Sequence, residues 1–440
     1  MSHIKRRLAR LNGSGGRQED EAPKTISAKS SGGALDGVKL AQFRGRLRGL
    51  GRGKRNEDSS LIADIERVDL PGVEENFGQS KIQIVRETFH GKASHGDFMV
   101  DSLWRDYPKL GNFLNGADLG ENIGPNVLFL DTETTGLAGG TGTIPFMIGL
   151  GYFQGGTFNT EQLILRQPGQ EKPILRYVAE KIEAADALIT FNGKSYDLPL
   201  IRSRCVLGRV KLREPGLHLD LLHGCRRIFG GITTDGRLTT LERDILGFIR
   251  EDDIPGAEIP EAYFEFLRSG ETKKIHQIAK HNLWDLLAMA ALMNASGLYT
   301  HKPQSHDDAR VWLAVAKLNR RLSWDTDAIE RAKEVCACSD AANVALQGAL
   351  LLAQMYRRQK LYRDAADCLE MILAKDDGAF DSAPLNEAHL VLAKIYEHQL
   401  KDLTKALHYA RLSPPLEERH LSQKRVSRIE SKMMRLQVEA

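Results

Sequence analysis

The chain has 440 residues, 42% of them apolar and 27% charged. That length holds two to four domains at about 100 to 200 residues each, and the apolar content excludes wholesale disorder. The longest apolar run, Ile144 to Phe153 with its flanks, is broken by glycines and falls short of the roughly 20 residues that cross a bilayer, so no membrane span is predicted. The opening MSHIKRRLARLNG lacks the apolar stretch and small-residue cleavage site of a secretory signal, which predicts a cytoplasmic location. The cysteines Cys205, Cys225, Cys336, Cys338 and Cys368 include no Cys-x-x-Cys pair. A disulfide framework and a zinc ribbon are therefore set aside in favour of buried thiols.

The net charge of +3 conceals an asymmetry: residues 1–60 carry 14 Lys plus Arg against 6 Asp plus Glu, leaving −5 on the remaining 380. Residues 1–75 are also rich in Gly and Ser, in GSGG, SSGGALDGV and FRGRLRGLGRGKR. Such a segment buries too little apolar surface to offset its ordering entropy and is predicted to be a disordered basic tail. A cationic arm either gathers phosphate backbones in a salt-dependent way or simply aids solubility, and charge alone does not choose between these.

From residue 80 the pattern changes. Ile82 to Val85 alternates as a short strand, and Val127-Leu-Phe-Leu130 is an apolar run ending in Asp131-Thr-Glu133-Thr-Thr-Gly136. This reads as a core strand with carboxylates at its end. Alternation puts Asp131 and Glu133 on the same side, where two carboxylates repel unless a cation lies between them. A divalent metal is the economical explanation. The glycines at 136, 139, 140 and 142 lack the Gly-Lys-Ser/Thr ending of a phosphate loop.

Two strands follow, Ile144 to Phe153 and Thr157 to Leu165, and the Gly155-Gly156 turn between them predicts an antiparallel pair. Residues 171–185 have helical spacing in Ile174, Val178 and Ile182, and Ala187 to Phe191 reads as another buried strand. It leads through Asn192-Gly-Lys194-Ser-Tyr196-Asp197 into a helix whose first turn carries Asp197, either as a terminal charge matched to the helix dipole or as a site residue. Ile275 to Met293 reads as a long amphipathic helix with His281 and Asp285 four residues apart on one face. Asp220 ends another short apolar segment as a helix cap or a supporting carboxylate. His90 and His95 read as packing or surface residues, and Glu251-Asp252-Asp253 as a solvated turn.

Together, DTETTGLAGGTGT, FNGKSYDLPL, HLDLLHGCRR, EDDIPG and HNLWD resemble the YprB-like ribonuclease H-like domain of the DEDD exonuclease superfamily, densest over residues 126–294. The resemblance implies an α/β ribonuclease H-like domain, a mixed sheet flanked by helices, over residues 80–300. It implies Asp131, Glu133, Asp197 and Asp285 as metal ligands and His281 as general base. It also implies a two-metal mechanism with Mg2+ or Mn2+, which suit hard oxygen donors. The four-residue spacing from His281 to Asp285 matches the superfamily's Tyr-containing branch, whereas its His-containing branch usually has five. Asn192, Lys194 and Tyr196 are candidates to contact sugar, phosphate and base, or to serve the backbone alone.

After residue 300 the pattern is helical throughout. Ala349-Leu-Leu-Leu-Ala353-Gln-Met-Tyr356 recurs 40 residues later as His389-Leu-Val-Leu-Ala393-Lys-Ile-Tyr396, which predicts two helical hairpins in an all-α, tetratricopeptide-like repeat region over 305–440. An earlier divergent unit begins at Val311, an extended linker is expected around Asp376 to Pro384, and a charged helix from about Leu416 to Val438 caps the stack. Such a region is a platform for nucleic acid or a protein partner, or a buttress for the rest of the chain. The combined expectation is a metal-dependent nuclease, a 3′ to 5′ exonuclease on single-stranded DNA or RNA. The alternatives are a noncatalytic nucleic-acid-binding or interaction scaffold and a structure-specific endonuclease.

Overall fold

The computed structural model describes residues 69–439 apart from residues 92, 118, 120–122, 137–141, 302–307, 338–340, 376–377 and 414–418. The basic tail expected over residues 1–75 thus lies, up to residue 68, outside the described residues. The described residues form nine strands: β1 (Val73–Phe77), β2 (Ser80–Phe89), β3 (Ser94–His95), β4 (Phe98–Met99), β5 (Val127–Thr134), β6 (Pro145–Gln154), β7 (Thr157–Ile164), β8 (Ala187–Thr190) and β9 (Leu217–Asp220). Seven make one mixed sheet in the order β1-β2-β7-β6-β5-β8-β9, and β3 and β4 pair separately. β5 is antiparallel to β6 and parallel to β8. The β6–β7 hairpin forms as expected, with Gly155 and Gly156 both at positive φ, 58° and 80°, the combination a tight two-residue hairpin turn requires.

The helices around the sheet are α1 (Leu110–Asn115), α2 (Glu171–Glu183), α3 (Asp197–Gly208), α4 (Leu221–Phe229), α5 (Leu238–Leu241), α6 (Ile259–Ser269) and α7 (Lys273–His301). Alternation along β5 splits the core in two. Leu128 and Leu130 pack with Ile174, Val178 and Ile182 of α2, Ile201 of α3 and Phe266 of α6. Val127 and Phe129 pack with α4 and with Leu286 to Met293 of α7. On the first side the Phe146 and Tyr263 rings stack 4.1 Å apart, and the Tyr263 hydroxyl donates to the Leu165 carbonyl at 2.9 Å.

Helix α7 departs from the amphipathic reading. At about 1.5 Å per residue its 29 residues extend some 43 Å, and every residue from Leu286 to Gly297 is buried. A helix apolar all round is covered all round. The cover is the sheet on one flank and, on another, Val311 and Val315 of α8 (Ala309–Arg321). Only the N-terminal part of α7 keeps a polar face, and that face carries the residues of interest.

In the C-terminal region the described residues form only helices and their connections: α8, α9 (Asp325–Ala337), α10 (Ala342–Arg358), α11 (Tyr362–Leu373), α12 (Ser382–Ile395), α13 (Leu403–Leu412) and α14 (Arg419–Glu439). The duplicated segments lie on α10 and α12, and Ala349, Ala353, Ala388, Ala393 and Ala406 are 0% exposed, so small side chains bring the helices together. Pro384 falls in the first turn of α12 rather than in a linker. No described helix is long and apolar enough to cross a membrane.

Glu397, in the π turn that ends α12, is 1% exposed and accepts from Arg428 at 2.9 and 2.7 Å and from Lys432 at 2.7 Å. Burial opposes its charge, but these two cations on α14 outweigh it and hold the carboxyl at about 2. A depressed carboxyl stabilises the fold above its ordinary value of 4.5, and that contribution is lost as pH falls toward 2. Glu397→Ala is expected to cost about 2 to 3 kcal/mol, between exposed and buried pairs. Urea melts at pH 7 and pH 3 check this: the deficit should shrink at the lower pH, and an equal deficit at both would refute the ion-pair account.

Candidate active site

The site gathers where β5 and β8 end. Asp131 and Glu133 follow Val127 and Phe129 on the face of β5 that meets α7, and a register shift between Glu133 and Thr134 ends the regular ladder there. Asp197 opens α3, immediately after the loop that leaves β8. Asp285 and His281 come from α7, with His281 Nε2 3.8 Å from Asp285 Oδ2. Ligand atoms of Glu133, His281 and Asp285 all lie within 4.8 Å of one another. The five residues singled out in the sequence are therefore brought together.

Glu133 and Asp197 are buried, Asp131 and Asp285 half-buried, and the four are close enough for their charges to be felt within the cluster. Burial, followed by the charges of Asp285, Glu133 and Asp197, pushes Asp131 well above the usual carboxylate range. Burial also raises Glu133 to about 8, with Asp285 and Asp197 adding to the effect and His281 and Arg250 opposing it. Asp197, raised by burial, is held to about 6 by the Thr132 hydroxyl that donates to it. Two like charges about 4 Å apart at an effective dielectric of about 20 repel by about 4 kcal/mol. A cluster of this kind is poised for cations, and its oxygen-rich donor set with one imidazole and no thiolate fits a hard divalent ion.

Asp131 is fixed by a residue that sequence reasoning passed over. Asn282, fully buried, donates from Nδ2 to Asp131 Oδ2 at 2.7 Å, while its Oδ1 accepts from Gln162 at 2.9 Å. Asp131, Gly149 and Gln162 stand side by side across β5, β6 and β7. The glycine is what admits the amide: a Cβ at Gly149 would lie 2.2 Å from Asn282 Oδ1.

A second set of residues surrounds His281 and Asp285. Arg250 donates to Asp285, to Glu242 at 2.8 Å and to Asp253 at 3.3 Å, and its side chain is only 6% exposed. Asp253 also sits 2.7 Å from His281 Nδ1, so the segment read as a solvated turn supplies the partner that orients the imidazole. Burial disfavours a charged ring, but Asp253, Asp285 and Glu133 outweigh it and raise His281 to about 9. Glu242 reaches on to His95 Nε2 at 2.7 Å, and both are buried. His95 is thus the buried end of a chain running through Glu242 and Arg250 to Asp285, a specific role that its place in a turn did not indicate. The Trp284 ring lies 5.7 Å from the Arg250 guanidinium and 4.5 Å from the Lys280 ammonium.

Asp220 combines both of its expected readings. It caps α4 by accepting from Leu222 N at 3.1 Å, and it accepts from Asn192 N at 2.8 Å and Lys194 N at 3.1 Å. The loop before Asp197 is thereby pinned, with Asn192 at φ 66°, a left-handed conformation that Asn tolerates. Lys194 and Tyr196 are exposed beside the cluster, Tyr196 at 57%, while Asn192 is half-buried. The four described cysteines, Cys205, Cys225, Cys336 and Cys368, are buried, and Cys338 lies outside the described residues.

Comparison with known proteins places these elements. Residues 128–296, from β5 into α7, match a family model of the RNase H superfamily, RNase_H_2. The chain is 29% identical over 379 residues to the uncharacterized protein YprB of Bacillus subtilis (strain 168), spanning 82% of this chain and 87% of that one. Among solved structures, the family B DNA polymerase from the hyperthermophilic archaeon Pyrobaculum calidifontis aligns at 15% identity and a TM-score of 0.33, over 49% of this chain and 30% of the polymerase chain. The chain is therefore similar to the RNase H superfamily over residues 128–296 and to YprB along most of its length.

Proposed function

We propose that this protein is a metal-dependent nuclease, a 3′ to 5′ exonuclease that hydrolyses phosphodiester bonds of single-stranded DNA or RNA. The observation that carries the reading is the convergence of Asp131, Glu133, Asp197, Asp285 and His281 at the end of β5, with the carboxyl groups of Asp131 and Glu133 raised by burial and neighbouring charge and that of Asp197 by burial. Two Mg2+ or Mn2+ ions held by the four carboxylates would neutralise charge at the scissile phosphate and favour hydroxide over water. The direction of attack follows from the resemblance to DEDD exonucleases.

The chain's own groups supply the rest. His281 accepts the proton of the attacking water at Nε2 while Asp253 holds Nδ1, the division of labour between a base and its orienting group. Against burial, Asp253, Asp285 and Glu133 raise this imidazole to about 9, so neutralisation of Asp285 and Glu133 would lower it and favour its part as a base. Asn282 keeps Asp131 turned toward the cluster. Lys194 and Tyr196 offer a phosphate contact and a stacking face on the pinned loop, and residues 305–440 serve as the binding platform.

One observation favours a noncatalytic scaffold: Arg250 gives Asp285 a cationic partner of its own. Incubation of 5′-labelled single-stranded DNA and RNA with Mg2+ or Mn2+, beside a chelator control, separates the readings. The expected result is a metal-dependent ladder that shortens from the 3′ end. Cutting of a circular strand would make the protein an endonuclease, and tight binding without cleavage would favour the scaffold.

A further inference from the structure

A row of cations crosses from the sheet domain to the helical hairpins and takes no part in the chemistry above. It begins at Arg227 on α4, which donates to the Leu114 carbonyl at 2.7 Å and faces Arg321 at the end of α8. Arg320 donates to Gln354 of α10, and Lys317, one turn earlier, reaches Gln347 at 3.4 Å. Gln354 in turn lines a concavity with Arg357, Arg358, Tyr362 and Gln399. Helix α8 carries four basic and no acidic residues, and so does the stretch 341–363.

The partners of these side chains set them apart. Several basic residues elsewhere in the helical region meet carboxylates: Lys405 meets Glu370, Arg411 meets Glu430, and Arg428 and Lys432 meet Glu397. Along this row the hydrogen bonds go to amides and a carbonyl, and no ion pair joins it among the described residues. Helix dipoles account for a basic residue in the last turn of α8 or α10. They do not account for cations set against cations. Burial and Arg321 lower the pKa of Arg227, and burial and Arg320 lower that of Lys317, so the crowding works against folding until an anion is supplied. Guanidinium forks match phosphate oxygens, the two amides offer further donors, and the Tyr362 ring supplies a face on which a base stacks.

We infer that the strip formed by Arg227, Arg320, Arg321, Arg357 and Arg358 is a second binding surface for the phosphate backbone of a single strand, separate from the carboxylate cluster. This rests on the nucleic-acid reading proposed above and names the residues by which the helical region, with Arg227, would hold a strand. A long strand then engages both places, whereas a very short one reaches only the carboxylates.

The test uses the full chain in chelator, so that binding is read without hydrolysis, and a fluorescein-labelled 30-nucleotide oligo-dT. Arg321→Gln/Arg357→Gln/Arg358→Gln is expected to weaken binding about tenfold or more at 150 mM salt and to flatten the slope of log affinity against log salt by about 2, near 0.7 for each phosphate that the variant leaves unneutralised. The matching triple Lys variant keeps the charge and should keep the slope. Where turnover is present, hydrolysis of a hexanucleotide by the Gln variant should stay within twofold of wild type. Unchanged affinity and slope in the Gln variant would overturn the inference. So would a selective loss of polyglutamate binding, which would mark a docking surface for an acidic protein. Strip-dependent binding in a protein without hydrolysis would leave the strip standing and remove the enzyme reading alone.

Discussion

Asp131→Asn is expected to remove hydrolysis, by about a thousand-fold or more, and at the same time to raise the melting temperature of the chelated protein at pH 8. The first effect is the loss of several kcal/mol of transition-state stabilisation when one carboxylate of the cluster no longer holds charge. The second follows from the direction of the shift: burial and the charges of Asp285, Glu133 and Asp197 raise Asp131 in the folded chain. A carboxyl raised on folding favours the fold at low pH and penalises it as pH rises through the folded value. At pH 8 the wild type bears that penalty and the amide does not, so the variant should melt about 3 °C higher or more. Mg2+ or Mn2+ should raise the wild-type melting temperature by several degrees by mass action and the variant's by much less. Hydrolysis at the wild-type rate in Asp131→Asn would end the proposed assignment of the cluster.

His281→Ala should slow hydrolysis by about 10² to 10⁴, the usual worth of a general base, while leaving the metal-induced rise in melting temperature intact. The second readout matters because His281 shares its ring of donors with Glu133 and Asp285. Loss of the metal-induced rise would make it a ligand instead of a base, and an unchanged rate would remove it from the mechanism. Asp253→Asn should slow the reaction in the same direction and by less, since it leaves the imidazole in place and weakens its anchor at Nδ1 together with one contact of Arg250.

Both experiments rest on residues of different visibility. Asp131 and Glu133 are two apart at the end of an apolar run, and His281 and Asp285 are four apart on a helix. Local periodicity thus groups each pair on one face before any tertiary contact is known. The hairpin after β5, the helix over Glu171–Glu183 and the paired segments on α10 and α12 were legible for the same reason: each depends on an apolar pattern or turn residues within a window of some 10 to 20 positions. The amphipathic reading of α7 failed because a helix is judged polar-faced from its own residues, whereas α8 arrives from beyond its C-terminus to cover the remaining side.

The surrounding groups were invisible for a complementary reason. His95 and Glu242 lie 147 residues apart, Asp131 and Asn282 151, and Arg250 and Asp285 35, and no local period links them. Asp253 read as a solvated turn because charged residues beside Pro and Gly usually are, and only the packing of that turn against α7 gives it an imidazole to hold. The sequence by itself marked the strands β2, β5, β6, β7 and β8, the helix α2 and the segments repeated on α10 and α12, because these follow from short-range alternation and spacing, whereas the set of four carboxylates with their histidine was implied by the resemblance to the DEDD exonucleases. Tertiary structure alone decided which buried partners orient them, why Gly149 must lack a side chain, and where cations crowd without carboxylates, because burial and long-range proximity are properties of the packed chain.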